Sequence, residues 1–197
     1  GAVQINGIPM NKLFNGRPQW SNWGGLNDML RNQELSLGSQ SSDYNFGGLI
    51  GSTNISTRAS EYRVGSRITY SSSNRSYTNR AMFSHASGLN DKGWAYAISA
   101  GNRWGESGFA DGTFYDAQSL LLSVEKVLEK QSINLTLIAA PNRRGKSSPN
   151  TQEVYDIRGI KYNEYWGNQS GEQRNSRVKR LIAVSYTHLT LPTTEYV

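Results

Sequence analysis

The sequence predicts a mainly β protein arranged as an antiparallel meander, on three observations. From Glu61 onward, large apolar residues alternate with small or polar ones at a period of two, through one long segment after another. No segment of helical period separates them, and strands that follow one another without a crossover helix pair antiparallel. The third observation is what the composition removes. Among 197 residues there is no Cys and there are only two His, His85 and His188. A disulfide scaffold, a thiolate zinc site and a Cys nucleophile are thereby excluded, and little is left for a His-based triad or a metal centre. No run approaches the ~18 apolar residues of a membrane-spanning helix, and the residues after Gly1 show no charged-then-apolar leader pattern. Helical membrane proteins and most hydrolases are disfavoured. β-Barrels are the one membrane class that low hydropathy leaves open.

Taken in order, residues 1–60 read as a Gly-rich mixed region. Val3-Gln4-Ile5-Asn6-Gly7-Ile8 alternates as a short strand ending in an Asn-Gly turn signal. Asn11 to Trp23 is polar and aromatic, with Gly16, Pro18, Trp20 and Trp23, and reads as a surface loop. Gly25 to Leu35 reads as a short helix with Leu26, Met29 and Leu30 on one face. Asn45 to Thr57 is punctuated by Gly and then becomes an Ile/Thr strand.

The long strands follow. Tyr62, Val64, Ile68 and Tyr70 are expected on one face, with Arg63, Gly65, Arg67 and Thr69 on the other. Residues 75–87 alternate less clearly, Arg80 and Met82 falling on one side and Ala81 and Phe83 on the other. Residues 94–104 are the clearest case: Trp94, Tyr96, Ile98, Ala100 and Trp104 share a face, opposite Ala95, Ala97, Ser99, Gly101 and Arg103. Leu120, Leu122 and Val124 then alternate with Leu121, Ser123 and Glu125. Ile133, Leu135, Leu137 and Ala139 alternate with Asn134, Thr136 and Ile138. Five long strands in a row result.

Alternation alone suits a soluble sandwich or a membrane barrel. In a barrel the aliphatic and aromatic face meets lipid, while the Arg, Ser, Thr, Asn and Gly face lines the lumen. Spacing adds to this. Trp94 and Trp104 are ten residues apart on one face, about 33 Å at ~3.3 Å per residue. A strand tilt of ~40° projects that onto roughly 25 Å, the height of an apolar band between aromatic girdles. The connections partly alternate too: short at Leu128-Glu129-Lys130-Gln131, longer at 105–114, longest after Pro141.

The tail from Val184 through Thr194 resembles a translated transposon-end sequencing adapter, although its Thr, Leu and Tyr also alternate as in an ordinary strand. Residues 184–197 are therefore set aside as non-native read-through. That leaves 21 Lys+Arg against 14 acids, since Glu195 goes, and His85 as the one histidine. The charge rises from +6 to +7. Gly1 begins within a strand pattern, so the front is expected to be truncated.

Several segments together resemble the TonB-dependent outer-membrane receptors, in the large form common in Bacteroidetes. Val3-Gln4-Ile5-Asn6-Gly7-Ile8-Pro9-Met10-Asn11 is similar to a plug strand and turn of that family. Trp20-Ser21-Asn22-Trp23-Gly24-Gly25-Leu26 is similar to the next plug segment, and Phe46-Gly47-Gly48-Leu49-Ile50-Gly51-Ser52-Thr53-Asn54-Ile55 to the one that closes the plug. Arg58-Ala59-Ser60 stands at the junction. Ser123-Val124-Glu125-Lys126, Ala140-Pro141-Asn142-Arg143-Arg144-Gly145, Tyr165-Trp166-Gly167 and Arg174-Asn175-Ser176-Arg177 look like further family segments. Leu49 to Thr53 is longer and less regular than the usual plug ending, which blurs the boundary near Ser60.

The resemblance implies the C-terminal part of a plug domain at 1–60 and the first strands of a transmembrane β-barrel at 61–183, incomplete and not closed. It implies active import of a scarce nutrient, such as a metal chelate, vitamin, glycan or peptide, driven by the TonB complex of the inner membrane. Further implied partners are the bilayer, lipopolysaccharide and, in some members, a surface lipoprotein. No enzyme activity, cofactor or metal is expected, and the setting is the outer membrane of a Gram-negative cell. Candidate substrate contacts are Arg17, Trp20 and Trp23 in the plug and Arg63, Arg67 and Arg103 on the lumen face. Structural ion pairs across the plug–barrel interface are the better reading of the arginines, and burial against the barrel wall the better reading of Trp20 and Trp23.

Other chemistry is thinly supported. Residues 142–180 carry nine Lys+Arg against four acids, with Tyr155, Tyr162, Tyr165 and Trp166 interleaved. That pattern also marks single-strand nucleic-acid binding, but lipopolysaccharide phosphates facing an outer loop explain it more simply, and no nucleic-acid partner is expected. His85 suits a structural role. Asp111-Gly112-Thr113-Phe114-Tyr115-Asp116 lacks the acidic spacing of an EF-hand loop. The Asn-x-Ser/Thr triplets at Asn54, Asn74, Asn134 and Asn168 are coincidental in a bacterial setting. The rival from another class is a secreted soluble β-sandwich that binds glycans through exposed aromatics.

Overall fold

A computed structural model describes residues 1–18, 20, 23, 24, 26, 29, 30, 32–38, 50–74, 76–129, 131–169, 172–175, 177–180 and 183–190, with backbone alone beyond residue 167. The chain is mainly β, in a small sheet, a large sheet and a separate hairpin. In the small sheet, β1 (Ala2–Ile5) and β2 (Ile8–Pro9) form a hairpin closed by Asn6 and Gly7, with Ile5 opposite Ile8. Both turn residues have positive φ, 47° and 80°. That is the primed two-residue turn for which Asn-Gly is suited, because its twist matches that of the strands. β3 (Gln33–Ser36) pairs antiparallel with β4 (Ser52–Ile55), and β4 lies parallel to β1.

One local expectation is corrected here. Residues 33–35 belong to β3 and not to a helix. Leu26, Met29 and Leu30 are buried together, as the pattern predicted, but through one turn closed by the Met29 and Leu30 amides donating to the Leu26 carbonyl at 2.8 and 3.0 Å. Residues 25, 27, 28 and 31 lie outside the described residues, and β4 offers residues 33–36 a ladder. The Phe46 to Leu49 segment lies outside the described residues.

The large sheet is a meander. After a short 3-10 turn at Ala59–Glu61 come β5 (Gly65–Ser72), β6 (Asn79–Ala86), β7 (Trp94–Gly105), β8 (Tyr115–Val127), β9 (Ser132–Ala139) and β10 (Asn142–Gly145). Helix α1 (Gln152–Arg158) and the hairpin of β11 (Trp166–Gln169) and β12 (Glu172–Asn175) precede the edge strands β13 (Arg177–Arg180) and β14 (Ala183–Thr190). β9 and β10 are one line interrupted at Pro141. Both pair with β8 in a single register, Leu120 opposite Ala139 and Ala117 opposite Asn142. Proline has no N–H to donate, yet its carbonyl still accepts from the Gln118 amide at 2.9 Å. β13 and β14 continue in one register along β10 and β9. The set-aside tail thus runs partly as β14; an open edge accepts any alternating segment that reaches it. No sheet closes on itself among the described residues.

The faces of the large sheet differ sharply. Ala95, Ala97, Ser99, Leu121, Ser123, Glu125, Asn134, Thr136 and Ile138 are buried, whereas Trp94, Tyr96, Trp104, Leu120, Leu122, Ile133 and Leu135 are exposed. Apart from Leu121 and Ile138, the large apolar residues of these strands therefore point away from the covered face, whereas a sandwich core would gather them inward. What covers the inner face is the small sheet with its loops: Val3, Ile5, Trp23, Leu26, Met29, Leu30, Ile55 and Ala59 share one core with Ala86, Ala95, Ala97, Leu121 and Ile138. Small residues on the middle strands let that second layer approach closely.

Tyr62 departs from its expected place. The strand starts only at Gly65, so Tyr62 precedes it and reaches into the small layer, its hydroxyl donating to the Met29 carbonyl at 2.9 Å. Ile68 and Tyr70 remain exposed on the sheet. The two ends of the sheet also differ. Connections 87–93 and 128–131 lie at one end; 73–78, 106–114 and the long excursion 146–176 lie at the other.

Candidate functional site

The two layers meet along a buried polar seam. Asn6 donates from Nδ2 to Thr57 Oγ1 at 2.8 Å and accepts the Thr57 amide on Oδ1 at 2.7 Å, which ties the β1–β2 turn to the chain leaving β4. Thr57 then reaches the large sheet: its hydroxyl lies 3.2 Å from Thr136 Oγ1, and its carbonyl accepts from Ser123 Oγ at 2.7 Å. Thr136 donates to Asn134 Oδ1 at 2.8 Å. A buried polar network stays stable only while its members are satisfied. Here the hydroxyls and amides of two strands provide what the incoming backbone needs.

Beside it lies an ion pair. Glu125 has a fully buried side chain, and Arg58 is 26% exposed. Arg58 donates from Nε and Nη2 to Glu125 Oε1 at 2.9 and 2.6 Å, and the Ser60 amide donates to Oε2 at 2.9 Å. Arg58 Nη2 also bonds Ser132 Oγ at 2.6 Å. A buried carboxylate is tolerated only when paired and hydrogen-bonded, and both conditions are met by the first residues after the small sheet. Sequence reasoning placed Glu125 on the small-residue face and Arg58 at a junction, but nothing in the sequence joined two residues so far apart along the chain.

The six predicted contact residues do not form one site. Arg17 is exposed in the loop that returns at Pro18, with its carbonyl accepting from the Lys12 amide at 3.1 Å. Trp20 is 56% exposed and Trp23 6% exposed, their rings edge to face at 5.8 Å. Trp23 is thus part of the shared core, and Trp20 packs on it from outside. Arg63 and Arg67 are exposed around a hollow of about 620 Å³ beside the β5–β6 pair. Of these two, only Arg67 is on a strand, because β5 begins at Gly65.

Arg103 sits near the long-loop end of β7, its guanidinium 5.5 Å from the Tyr115 ring centre. His85 is held by Ser66, 2.8 Å from Nδ1, and its ring stands 5.6 Å from that of Tyr96. No group of three or more His, Asp or Glu among the described residues is placed to hold a metal ion.

No protein-family model, curated protein or solved structure matches the chain. The fold and the seam are therefore the observations from which a function is argued.

Proposed function

We propose that the chain is part of a TonB-dependent outer-membrane transporter, with 1–60 as the rear of its plug, 61–183 as the first strands of its barrel and 184–197 as read-through. Its cargo is a scarce nutrient, its drive comes from the TonB complex, and its surroundings are the bilayer and lipopolysaccharide, with a surface lipoprotein as a possible co-receptor. It has no catalytic role and no cofactor in this reading. One observation carries it: the large sheet turns Trp94, Tyr96, Leu120, Leu122 and Leu135 away from the packed layer, and mostly small or polar residues, with Leu121 and Ile138 among them, toward it. A water-soluble two-layer protein gains stability by the opposite arrangement, whereas a barrel strand places its apolar side in lipid.

The seam supports the same reading. A layer joined partly by hydroxyls, amides and one ion pair beside its apolar core separates at lower cost than a wholly apolar one, because water replaces the hydrogen bonds. That suits a plug that rearranges when pulled. No helix among the described residues is long and apolar enough to cross a membrane.

The test uses the protein encoded by the uninterrupted gene. It is expected in the outer-membrane fraction, with migration on gels that changes on heating. Brominated lipids should quench its tryptophan emission less in W94F and W104F variants than in the parent. A soluble protein whose Trp94 and Trp104 emission ignores brominated lipid overturns the transporter reading and favours the glycan-binding sandwich.

A further inference from the structure

Two Asn-Gly pairs stand near the start of the chain, Asn6-Gly7 and Asn15-Gly16, and the fold treats them oppositely. Such a pair is open to spontaneous loss of the asparagine amide, because glycine has no Cβ to shield its nitrogen or restrict its approach. Asn15 is exposed. Its Oδ1 accepts the Arg17 amide at 3.1 Å, and the Gly16 amide donates to the Lys12 carbonyl at 2.8 Å, all within one exposed turn. Asn6, in the β1–β2 turn, is only 5% exposed.

At Asn6 both reacting groups are held away from each other. Deamidation needs the Gly7 nitrogen to reach Asn6 Cγ, but the Gly7 N–H donates to Asn54 Oδ1 at 2.9 Å. The Asn6 amide is held at both of its atoms by Thr57. The Thr57 N–H can only donate, which fixes Oδ1 toward it and Nδ2 toward the Thr57 hydroxyl. The far end of the seam is fixed in the same way. The Thr57 carbonyl can only accept, so Ser123 donates to it at 2.7 Å and accepts from Asn134 Nδ2 at 3.3 Å. Asn134 Oδ1 then accepts from Thr136 at 2.8 Å, which leaves the Thr57 hydroxyl to donate to Thr136 across 3.2 Å. A directed ring of hydrogen bonds thus begins with the Asn6 amide protons and returns to the Thr57 backbone.

We infer that Asn6 is a latent deamidation site, kept unreactive while the two layers are docked, whose conversion stops them from docking again. When the seam opens, the Gly7 nitrogen attacks Asn6 Cγ. A C–N bond forms, the Cγ–Nδ2 bond breaks, and ammonia leaves with the proton that Gly7 gives up, closing a five-membered succinimide. Water then opens that ring at either carbonyl, giving aspartate or isoaspartate with no change of oxidation state. The aspartate has no proton to donate to Thr57 Oγ1, and it places a charge where neither group bonded to the side chain is charged. A buried charge without a counter-charge is strongly disfavoured. Isoaspartate also lengthens the backbone of a two-residue turn whose twist matches its strands. The inference needs only the docking of the two layers and does not rest on the transporter reading.

The experiment incubates the whole transporter that we propose, in detergent at mildly alkaline pH, and follows both asparagines by peptide mass spectrometry. Asn15 should convert steadily. Asn6 should convert at least about tenfold more slowly, because a protected group reacts only from the open population. In guanidinium chloride the two rates should converge. T57V keeps the backbone amide but removes the hydroxyl, so it should raise the Asn6 rate several-fold toward the denatured value and leave Asn15 unchanged. N6D should speed hydrogen exchange across β4 relative to the parent.

Equal rates at Asn6 and Asn15 in the native protein overturn the inference. So does an Asn6 that stays slow in denaturant, or one whose rate T57V leaves untouched. An N6D variant whose β4 exchanges like the parent's overturns the claim that conversion blocks docking. A protein that ignores lipid loses the transporter alone, and the same comparison made without detergent still decides the role of Asn6.

Discussion

Glu125 shows how much one residue can hold. Its carboxylate is buried against the chain that links the two layers, and three hydrogen bonds reach it from Arg58 and Ser60. Truncation to Ala leaves the Arg58 guanidinium with only the more exposed Glu61 carboxylate, 4.0 Å away, and removing one partner of a buried pair costs about 3–5 kcal/mol. In the whole transporter that we propose, denaturant unfolding of the E125A variant should show a loss of that order. The R58M/E125M double variant should lose less, because no charge is stranded. If E125A and the double variant unfold alike, the pair contributes through shape and not charge. At this scale the sequence was only half legible. Parity put Glu125 on the face with Ser123, and the Asn-Gly pair announced a turn that the positive φ of Asn6 and Gly7 bears out. The partner of each buried polar group depended on contacts between residues distant in the chain.

At the scale of elements, alternation located five long strands and sorted their side chains by face. It failed where elements are short. Residues 33–35 form β3 because β4 presents an open ladder beside them, and the apolar spacing of Leu26, Met29 and Leu30 serves a single buried turn. Tyr62 was assigned by parity to a strand that starts later, because a side chain anchored in the small layer holds the backbone off the sheet.

The outward face yields a discriminating substitution. Leu122 is exposed on β8, flanked by Ile98 and Leu137 on the adjoining strands. If that face meets lipid, L122R costs about 2–4 kcal/mol near the bilayer midplane. If it meets water, the change stays within about 0.5 kcal/mol. Unfolding free energy measured in liposomes separates the two.

For the whole molecule, the open sheet decides behaviour. β5 has no neighbour on its outer edge among the described residues, and β13 and β14 form the opposite one. Unpaired strand edges recruit other chains, and a barrel is complete only when its first and last strands meet. On the transporter reading, the 197-residue chain alone is expected to aggregate or stay unfolded in detergent, without the heat-dependent shift in migration that a closed barrel shows. A clean shift from this chain would mean that it closes by itself or with copies of itself, against the expectation drawn here.

The sequence by itself determined the strand periodicity, the hairpin turn, the lack of thiol or His-rich chemistry, and which residues share each face. Those are local properties, set by backbone geometry and side-chain type. Which face is covered was a tertiary decision. A two-fold repeat is the same whether the large residues point inward or outward, and only the docking of the small layer onto Ala95, Ala97, Ser123 and Thr136 distinguishes them. The opposed Arg80 and Arg103 likewise needed register, because a slip of one residue on either strand would send one of them to the other face.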